Sequence, residues 1–124
     1  MSINTQDVPT LDTQALESLS SDSSFLIEVC DSFLADAPNR IAAVKAAAAQ
    51  EDPAELRNSA HALKSLSSCV GAMGLYKIAQ AMEIIGRNNH TKPALRLIEQ
   101  VKAEYQSVQL AIQAYKTAQQ QNPS

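Results

Sequence analysis

The 124-residue sequence is poor in several residues that common classes of protein need. It contains three glycines, two cysteines, two phenylalanines, three tyrosines and no tryptophan. With so few glycines, no Gly-x-x-x-x-Gly-Lys-Ser/Thr motif and no acidic cluster for magnesium, the sequence argues against a kinase or phosphatase with its own nucleotide site. The low aromatic content of 4% predicts an aliphatic core and no stacking cofactor.

Charge and hydropathy argue against two further classes of partner. The formal net charge is −3 and the basic residues are scattered, so no basic stripe for nucleic acid and no polybasic membrane patch is present. No apolar run approaches the length of a membrane span. The chain is predicted to fold as a single domain that buries roughly two-thirds of its unfolded surface. We expect a monomer that binds neither nucleic acid nor membranes.

The cysteines and histidines predict neither a disulfide framework nor a metal site. Cys30 and Cys69 are the only cysteines, and no apolar signal segment begins the chain, so we expect a reducing, cytoplasmic location. Together with His61 and His90, these cysteines show no recognisable metal-ligand spacing. We therefore expect no metal and no cofactor, and we interpret His90 as an uninvolved loop residue.

Apolar residues recur every three or four positions along most of the chain, which predicts helices. A short helix, capped by Thr10 or Asp12, should precede four long segments. These segments are 24–37, 39–51, 53–73 and 75–116. The first is expected to end before Pro38, with Phe25 and Phe33 in the core and Leu26 or Ile27 exposed. The last is either one helix or two helices split at 86–91.

Short connections between these helices predict the fold. They favour an all-α, antiparallel up-down-up-down four-helix bundle with a short additional N-terminal helix. Residues 11–118 are assigned to this bundle, residues 1–10 to a flexible N-terminal segment and residues 119–124 to a flexible C-terminal tail. Asp52 and Pro53 mark the start of the third long helix, as N-cap and first helical residue.

That third helix places His61 among small and basic residues. At about 100° per residue, the face opposite His61 is predicted to be buried. It comprises Leu56, Ser59, Leu63, Leu66, Val70 and Met73. The exposed face is predicted to comprise Arg57, Asn58, His61, Lys64, Ser65, Ser68 and Ala72. A neutral imidazole can accept a phosphoryl group through a nitrogen lone pair. Lys64, with Arg57 as a second candidate, would supply positive charge, and the small Ser65 and Ser68 leave room for a partner's active site.

Residues 60–72, with the sequence A-H-A-L-K-S-L-S-S-C-V-G-A, resemble the phosphoacceptor motif of histidine-containing phosphotransfer (HPt) domains. Leu66 departs from the family pattern, which usually has a small residue there, but this position points inward. A looser resemblance extends over about 25–115. It implies that His61 is the phosphoacceptor and that Lys64 stabilises the phosphate. Glu83 matches a position where some members carry Gln or Glu bonded to the histidine ring, although a solvated helix carboxylate is an equal alternative.

The resemblance also implies a function and a set of partners. The chain is expected to be a phosphorelay intermediate that accepts a phosphoryl group on His61 from a receiver-domain aspartate or a kinase. It would pass the group to another receiver domain in two-component signalling. The expected partners are response-regulator receiver domains and a hybrid histidine kinase, and the receiver should cover the His61 face and the adjoining helix 25–34. The metal and the aspartate would belong to the receiver, so the chain is expected to be a phosphocarrier rather than an enzyme.

Two alternatives to this function are open at this point. A helical adaptor could dock on a receiver or kinase without carrying phosphate, because the fold alone does not determine the function. The chain could also be the phosphoacceptor domain of a larger histidine kinase. The initiating Met and the polar tail favour a free-standing shuttle or an expressed domain.

Overall fold

The computed structural model describes residues 1–121, which contain six α-helices. They are α1 (Thr13–Glu17), α2 (Ser23–Ala49), α3 (Pro53–Val70), α4 (Met73–Arg87), α5 (Lys92–Leu95) and α6 (Ile98–Gln121). Helices α2, α3, α4 and α6 form the bundle, and residues 50–52 and 71–72 connect the first three. Short connections of this kind make neighbouring helices antiparallel. The predicted four-helix bundle with a short additional N-terminal helix is confirmed.

Side-chain caps and a glycine set the ends of the helices around the site. Asp12 and Asp52 accept hydrogen bonds from the backbone N–H groups of Ala15 and Glu55, both at 3.1 Å, and so begin α1 and α3. Gly71 ends α3 in the left-handed conformation, with φ of 79°, which glycine adopts without steric cost. The Asp12 N–H donates to the Gly71 carbonyl at 2.7 Å. This bond fixes α1 against the end of α3.

Helix α2 corrects the prediction that a helix ends before Pro38. The two predicted segments 24–37 and 39–51 form one helix of 27 residues, with Pro38 inside it. Proline has no N–H to donate to the carbonyl four residues earlier. That carbonyl, on Leu34, instead accepts a hydrogen bond from the Tyr105 hydroxyl of α6 at 3.3 Å. Apolar residues are buried on both sides of the proline, including Phe33 and Val44. Tertiary packing therefore outweighs the local preference of proline.

The aliphatic core corrects the predicted orientation of the start of α2. Phe25, predicted to be buried, is 45% exposed, whereas Leu26, predicted as a candidate for exposure, is 3% exposed. The buried stripe of α2 runs through Leu26, Cys30, Phe33, Ala37, Ile41 and Val44. Phe25 lies one residue, or about 100°, away from this stripe. Its side chain is therefore turned toward the surface.

The end of α3 differs in a similar way from the helical projection. Ala72, predicted on the exposed face, is fully buried, because α3 ends at Gly71 and Ala72 becomes the N-cap of α4. Leu66 and Met73, predicted to be buried, are half-buried. For Ala72 and Met73 the projection fails because the chain changes direction at the left-handed Gly71, whereas Leu66 lies within α3 at the edge of its buried face.

Both terminal segments make contacts in the described part of the chain. The Ile3 N–H and carbonyl bond the Gln100 side chain at 2.8 and 2.6 Å, and Asp7 lies 2.7 Å from Lys77. Helix α6 continues to Gln121, so the expected flexible tail at 119–124 begins within it, and residues 122–124 lie outside the described residues. The flexibility of residues 1–10 and 119–124 stays a prediction.

Candidate functional site

His61 lies on the surface of α3, on the side that faces α4. Its side chain is 61% exposed. Ala60 and Leu56, on the inner face of the same helix, are fully buried. The Nδ1 atom of the ring lies 2.7 Å from Oε2 of Glu83 on α4. The imidazole is thus held at one nitrogen while most of the ring remains accessible.

Glu83 links the histidine to two basic side chains. The residue is 4% exposed, and its second oxygen, Oε1, accepts a hydrogen bond from Lys64 Nζ at 2.6 Å. Arg87, one turn later on α4, places Nη2 3.6 Å from Oε2. Burial alone would raise the pKa of Glu83, but the hydrogen bonds and charges of Lys64 and His61 outweigh burial and hold the pKa below its ordinary value. Glu83 is therefore an ionised carboxylate at neutral pH.

The charge of Glu83 determines where the neutral imidazole carries its proton. An ionised carboxylate can only accept hydrogen bonds, so the short contact with His61 requires Nδ1 to be the donor. In a neutral ring with a proton on Nδ1, the other nitrogen, Nε2, has a free lone pair. The contact with Glu83 therefore prepares Nε2 as a nucleophile.

A close approach of α3 and α4 places Glu83 beside His61. A Cβ atom built on Gly86 of α4 would lie 2.7 Å from the Arg57 nitrogen and 2.7 Å from the Pro53 carbonyl oxygen of α3. Contacts that short do not occur, so the two backbones can meet here only at a residue without a side chain. Glu83 lies nearly one turn before this contact and reaches His61 across the narrow gap.

The remaining residues predicted for the site lie on the same surface but in different environments. Arg57, Ser65 and Ser68 are exposed, and the Lys64 side chain is 20% exposed because Glu83 holds it. His90 is exposed on the connection after α4, apart from this group.

Two depressions flank the histidine face. The first, of about 320 Å³, is lined by Arg57, Asn58, His61, Glu83 and Arg87. The second, also of about 320 Å³, lies between α2 and α3 and is more apolar. It is lined by Phe25, Glu28, Val29, Ser32, Phe33, Leu66, Cys69 and Val70. The first depression is thus basic and the second exposes an aromatic ring.

Arg87 is the residue of this site that the sequence analysis missed. Its position four residues after Glu83 matches the spacing of an ion pair on one helix face, and that spacing could have identified it. Within the described residues, no group of three or more His, Cys, Asp and Glu side chains could hold a metal ion. No helix formed by residues 1–121 is both long enough and apolar enough to cross a membrane.

Comparisons with known structures find the same fold in histidine-containing phosphotransfer proteins. A structure of histidine-containing phosphotransfer protein B (HptB) from Pseudomonas aeruginosa PAO1 is 29% identical, with a TM-score of 0.81, over 89% of this chain and 96% of that chain. The HPT domain from an Hpt sensor hybrid histidine kinase of Shewanella shares the fold, with a TM-score of 0.72 and 20% identity, over 93% of this chain and 97% of that chain. A comparison with curated protein sequences gives no significant match.

The family comparison covers the whole site. The model of the Hpt domain family matches residues 28–111, about two-thirds of the chain, from the second turn of α2 into α6. This range includes the histidine, the lysine and the buried carboxylate of the site. The chain belongs to the Hpt domain family, the phosphocarrier modules that perform histidine phosphotransfer in two-component phosphorelays.

Proposed function

We propose that His61 is the phosphoacceptor of this protein. The observation that carries the proposal is the contact of His61 Nδ1 with the buried, ionised carboxylate of Glu83 at 2.7 Å. It leaves Nε2 as the nitrogen with a free lone pair on a ring that a partner can reach. Burial of a charged carboxylate such as Glu83 is costly unless the charge is paired. A histidine without a role would not need a carboxylate buried at that cost to orient its ring.

The proposed reaction is a transfer of the phosphoryl group between an aspartate and Nε2. The lone pair of Nε2 attacks the phosphorus of an aspartyl phosphate, a P–N bond forms, and the P–O bond to the aspartate breaks. The electron pair of that bond leaves with the aspartate as a carboxylate. The His61 Nδ1 keeps its proton, so the phosphorylated ring is cationic and the Glu83 carboxylate stabilises it. The reverse reaction passes the group to a second receiver.

Lys64 contributes positive charge to this site, and its ion pair with Glu83 determines how. Its Nζ atom lies 2.6 Å from Glu83 Oε1, and the side chain is 20% exposed. The lysine therefore keeps Glu83 ionised in the resting protein. An ammonium has three N–H donors, so Lys64 keeps free donors after this bond, but the ion pair already offsets its charge.

We further propose that a receiver domain docks over His61 and the neighbouring groove between α2 and α3. The groove adjoins the phosphoacceptor face and contains Phe25, which is 45% exposed. Large exposed aromatic side chains are common anchors of protein interfaces. The receiver would bring the aspartate and the metal, so that this chain acts as a carrier without a catalytic site of its own. We expect it to do so as a cytoplasmic monomer, with receivers and a hybrid histidine kinase as partners.

Phosphate transfer from a radiolabelled, phosphorylated receiver domain tests the proposed function. The wild-type protein should acquire label that is labile in acid and stable in base, as expected for phosphohistidine. The His61→Gln variant should acquire none, and His90→Gln serves as the matched control that acquires as much as wild type. Helicity should be unchanged in both variants, because both side chains are exposed. Label retained by His61→Gln would refute the assignment, and binding of the receiver without any label would favour the adaptor alternative.

A further inference from the structure

The basic depression beside His61 is formed by one turn from each of two helices. Arg57 and Asn58 lie one turn before His61 on α3, and Glu83 and Arg87 lie one turn apart on α4. The backbone contact at Gly86 meets α3 at Arg57 itself. The base of the Arg57 side chain is therefore fixed next to α4, close to the base of Arg87. The depression is a consequence of how the two helices pack.

The cations around His61 differ in how far carboxylates neutralise them. Lys64 is in close contact with Glu83, at 2.6 Å. Arg87 is 3.6 Å from the same carboxylate and its side chain is 58% exposed. Within residues 1–121, no carboxylate lies within 4.0 Å of the Arg57 guanidinium, and the residue is exposed. Lys64 and Arg87 thus share one carboxylate and Arg57 has none within that distance, so positive charge is in excess around the depression.

The chemistry of this depression suits a phosphoryl group. A guanidinium presents planar, paired N–H donors that match phosphoryl oxygens, and it stays charged at any physiological pH. The Asn58 side chain adds a neutral donor at the same rim. The depression has a volume of about 320 Å³, whereas one water occupies roughly 30 Å³ in the liquid. It therefore has room for a phosphoryl group with its hydration.

We infer that Arg57 and Arg87 bind the oxygens of the phosphoryl group once it is attached to His61, an inference that rests on the proposed function. Lys64 is then a positioning residue, which acts by keeping Glu83 ionised and in contact with Nδ1. Glu83 lines the same depression as the two arginines, and Lys64 holds its other oxygen. Arg57 and Arg87 are the cations that carboxylates neutralise least, so they are the ones available to bind a new anion.

Removal of the Arg57 charge tests this inference. The protein is phosphorylated with phosphoramidate, a small phosphodonor from which Nε2 displaces ammonia, and the decay of phosphohistidine is followed after the donor is removed. Arg57→Ala should shorten the phosphohistidine lifetime by roughly threefold to tenfold, since a charged hydrogen bond to the phosphoryl oxygens is lost. Arg57→Lys should restore part of the lifetime, because it keeps the charge but not the paired donors.

Arg96→Ala is the matched control, because it removes the same charge from an exposed arginine outside the depression. Its phosphohistidine lifetime should equal that of wild type. In the wild-type protein, phosphorylation should also shift the Nε–Hε NMR signals of Arg57 and Arg87 and slow their hydrogen exchange, while the Arg96 signal stays unchanged. Equal lifetimes for Arg57→Ala and Arg96→Ala, with unmoved Arg57 signals, would overturn the inference while His61 still takes up phosphate. A wild-type protein that takes up none would overturn the proposed function itself.

Discussion

Replacement of Glu83 by glutamine is the sharpest test of how the site is prepared. Glutamine has nearly the same shape, but its amide has one acceptor oxygen and one NH₂ group in place of two acceptor oxygens. In the wild-type protein the two oxygens accept from His61 Nδ1 and Lys64 Nζ at 2.7 and 2.6 Å. The amide can accept from only one of these donors. If it accepts from Lys64, its NH₂ faces His61 Nδ1, and the ring proton must move to Nε2.

The structure allows the size of this effect to be predicted. Hydrogen bonds to charged groups contribute about 1.5–3 kcal/mol and neutral ones about 0.5–1.5 kcal/mol, so the preference for a proton on Nδ1 should weaken by about 1 kcal/mol. That corresponds to roughly a fivefold rise in the population with a proton on Nε2 and a several-fold slower phosphorylation of His61. The free energy of unfolding should fall by about 1 kcal/mol, because the loss of the ion pair is partly offset by the lower cost of burying an amide.

The pH dependence of stability provides a second signature of Glu83. Its pKa in the folded protein lies below the ordinary value of 4.5. A depressed pKa contributes stability that is present above pH 4.5 and is lost as the pH falls through the lower, folded-state pKa. The stability difference between wild type and Glu83→Gln should therefore be largest near neutral pH and should shrink as the solution is acidified below that value.

Nitrogen-15 NMR of the imidazole and thermal unfolding measure these quantities. The ¹⁵N shifts of His61 should place the proton on Nδ1 in wild type and show a mixture in Glu83→Gln, and the melting temperature should fall by about 3–6 °C. His90, which has no carboxylate partner among residues 1–121, provides an internal reference. A wild-type His61 with its proton on Nε2 would refute the reasoning, as would a variant with unchanged tautomer populations and an unchanged phosphorylation rate.

Two further predictions concern the docking face and the bundle. Ser68→Arg should weaken receiver binding and phosphotransfer together while leaving helicity and melting temperature nearly unchanged. Ser107→Arg on α6 is its control. Titration with a receiver, followed by amide NMR, measures binding, and equal binding by both variants would contradict the proposed docking surface. Tyr105→Phe should lower the free energy of unfolding by about 0.5–1.5 kcal/mol, because it removes the hydrogen bond to the α2 carbonyl but keeps the ring. Tyr76→Phe is the control, since the Tyr76 hydroxyl has no hydrogen bond among residues 1–121. Equal melting temperatures for the two variants would show that the Tyr105 bond contributes nothing.

Local signals were sufficient to predict the third helix and the orientation of its histidine. Asp52 and Pro53 mark the start of α3, and Gly71 ends it, all within a few residues of the positions that the motifs indicate. The helical projection also placed His61 and Lys64 on one exposed face, because both lie far from the helix ends. These features depend on neighbours within two or three turns, which the sequence displays directly.

Features that depend on packing between helices could not be predicted in the same way. Phe25, Val29 and Phe33 recur every four residues, and Leu26, Cys30 and Phe33 recur at four and then three. Both spacings fit a helix, so the pattern alone could not choose between two orientations about 100° apart. The contact of Glu83 with His61 joins residues 22 positions apart and requires the close helix approach at Gly86. A carboxylate on an amphipathic helix looks the same in the sequence whether it is solvated or buried.

The bond between Tyr105 and the α2 carbonyl that Pro38 leaves free also specifies the register between two helices. The second half of α2 is rich in alanine, and apolar burial alone does not specify one alignment because it is non-directional. A hydroxyl that bonds one particular carbonyl favours one alignment of α6 along α2. The carbonyl that Pro38 leaves without a partner in α2 thus forms a specific hydrogen bond with α6. Exchange broadening of α6 amide signals in Tyr105→Phe would report the sliding that this connection prevents.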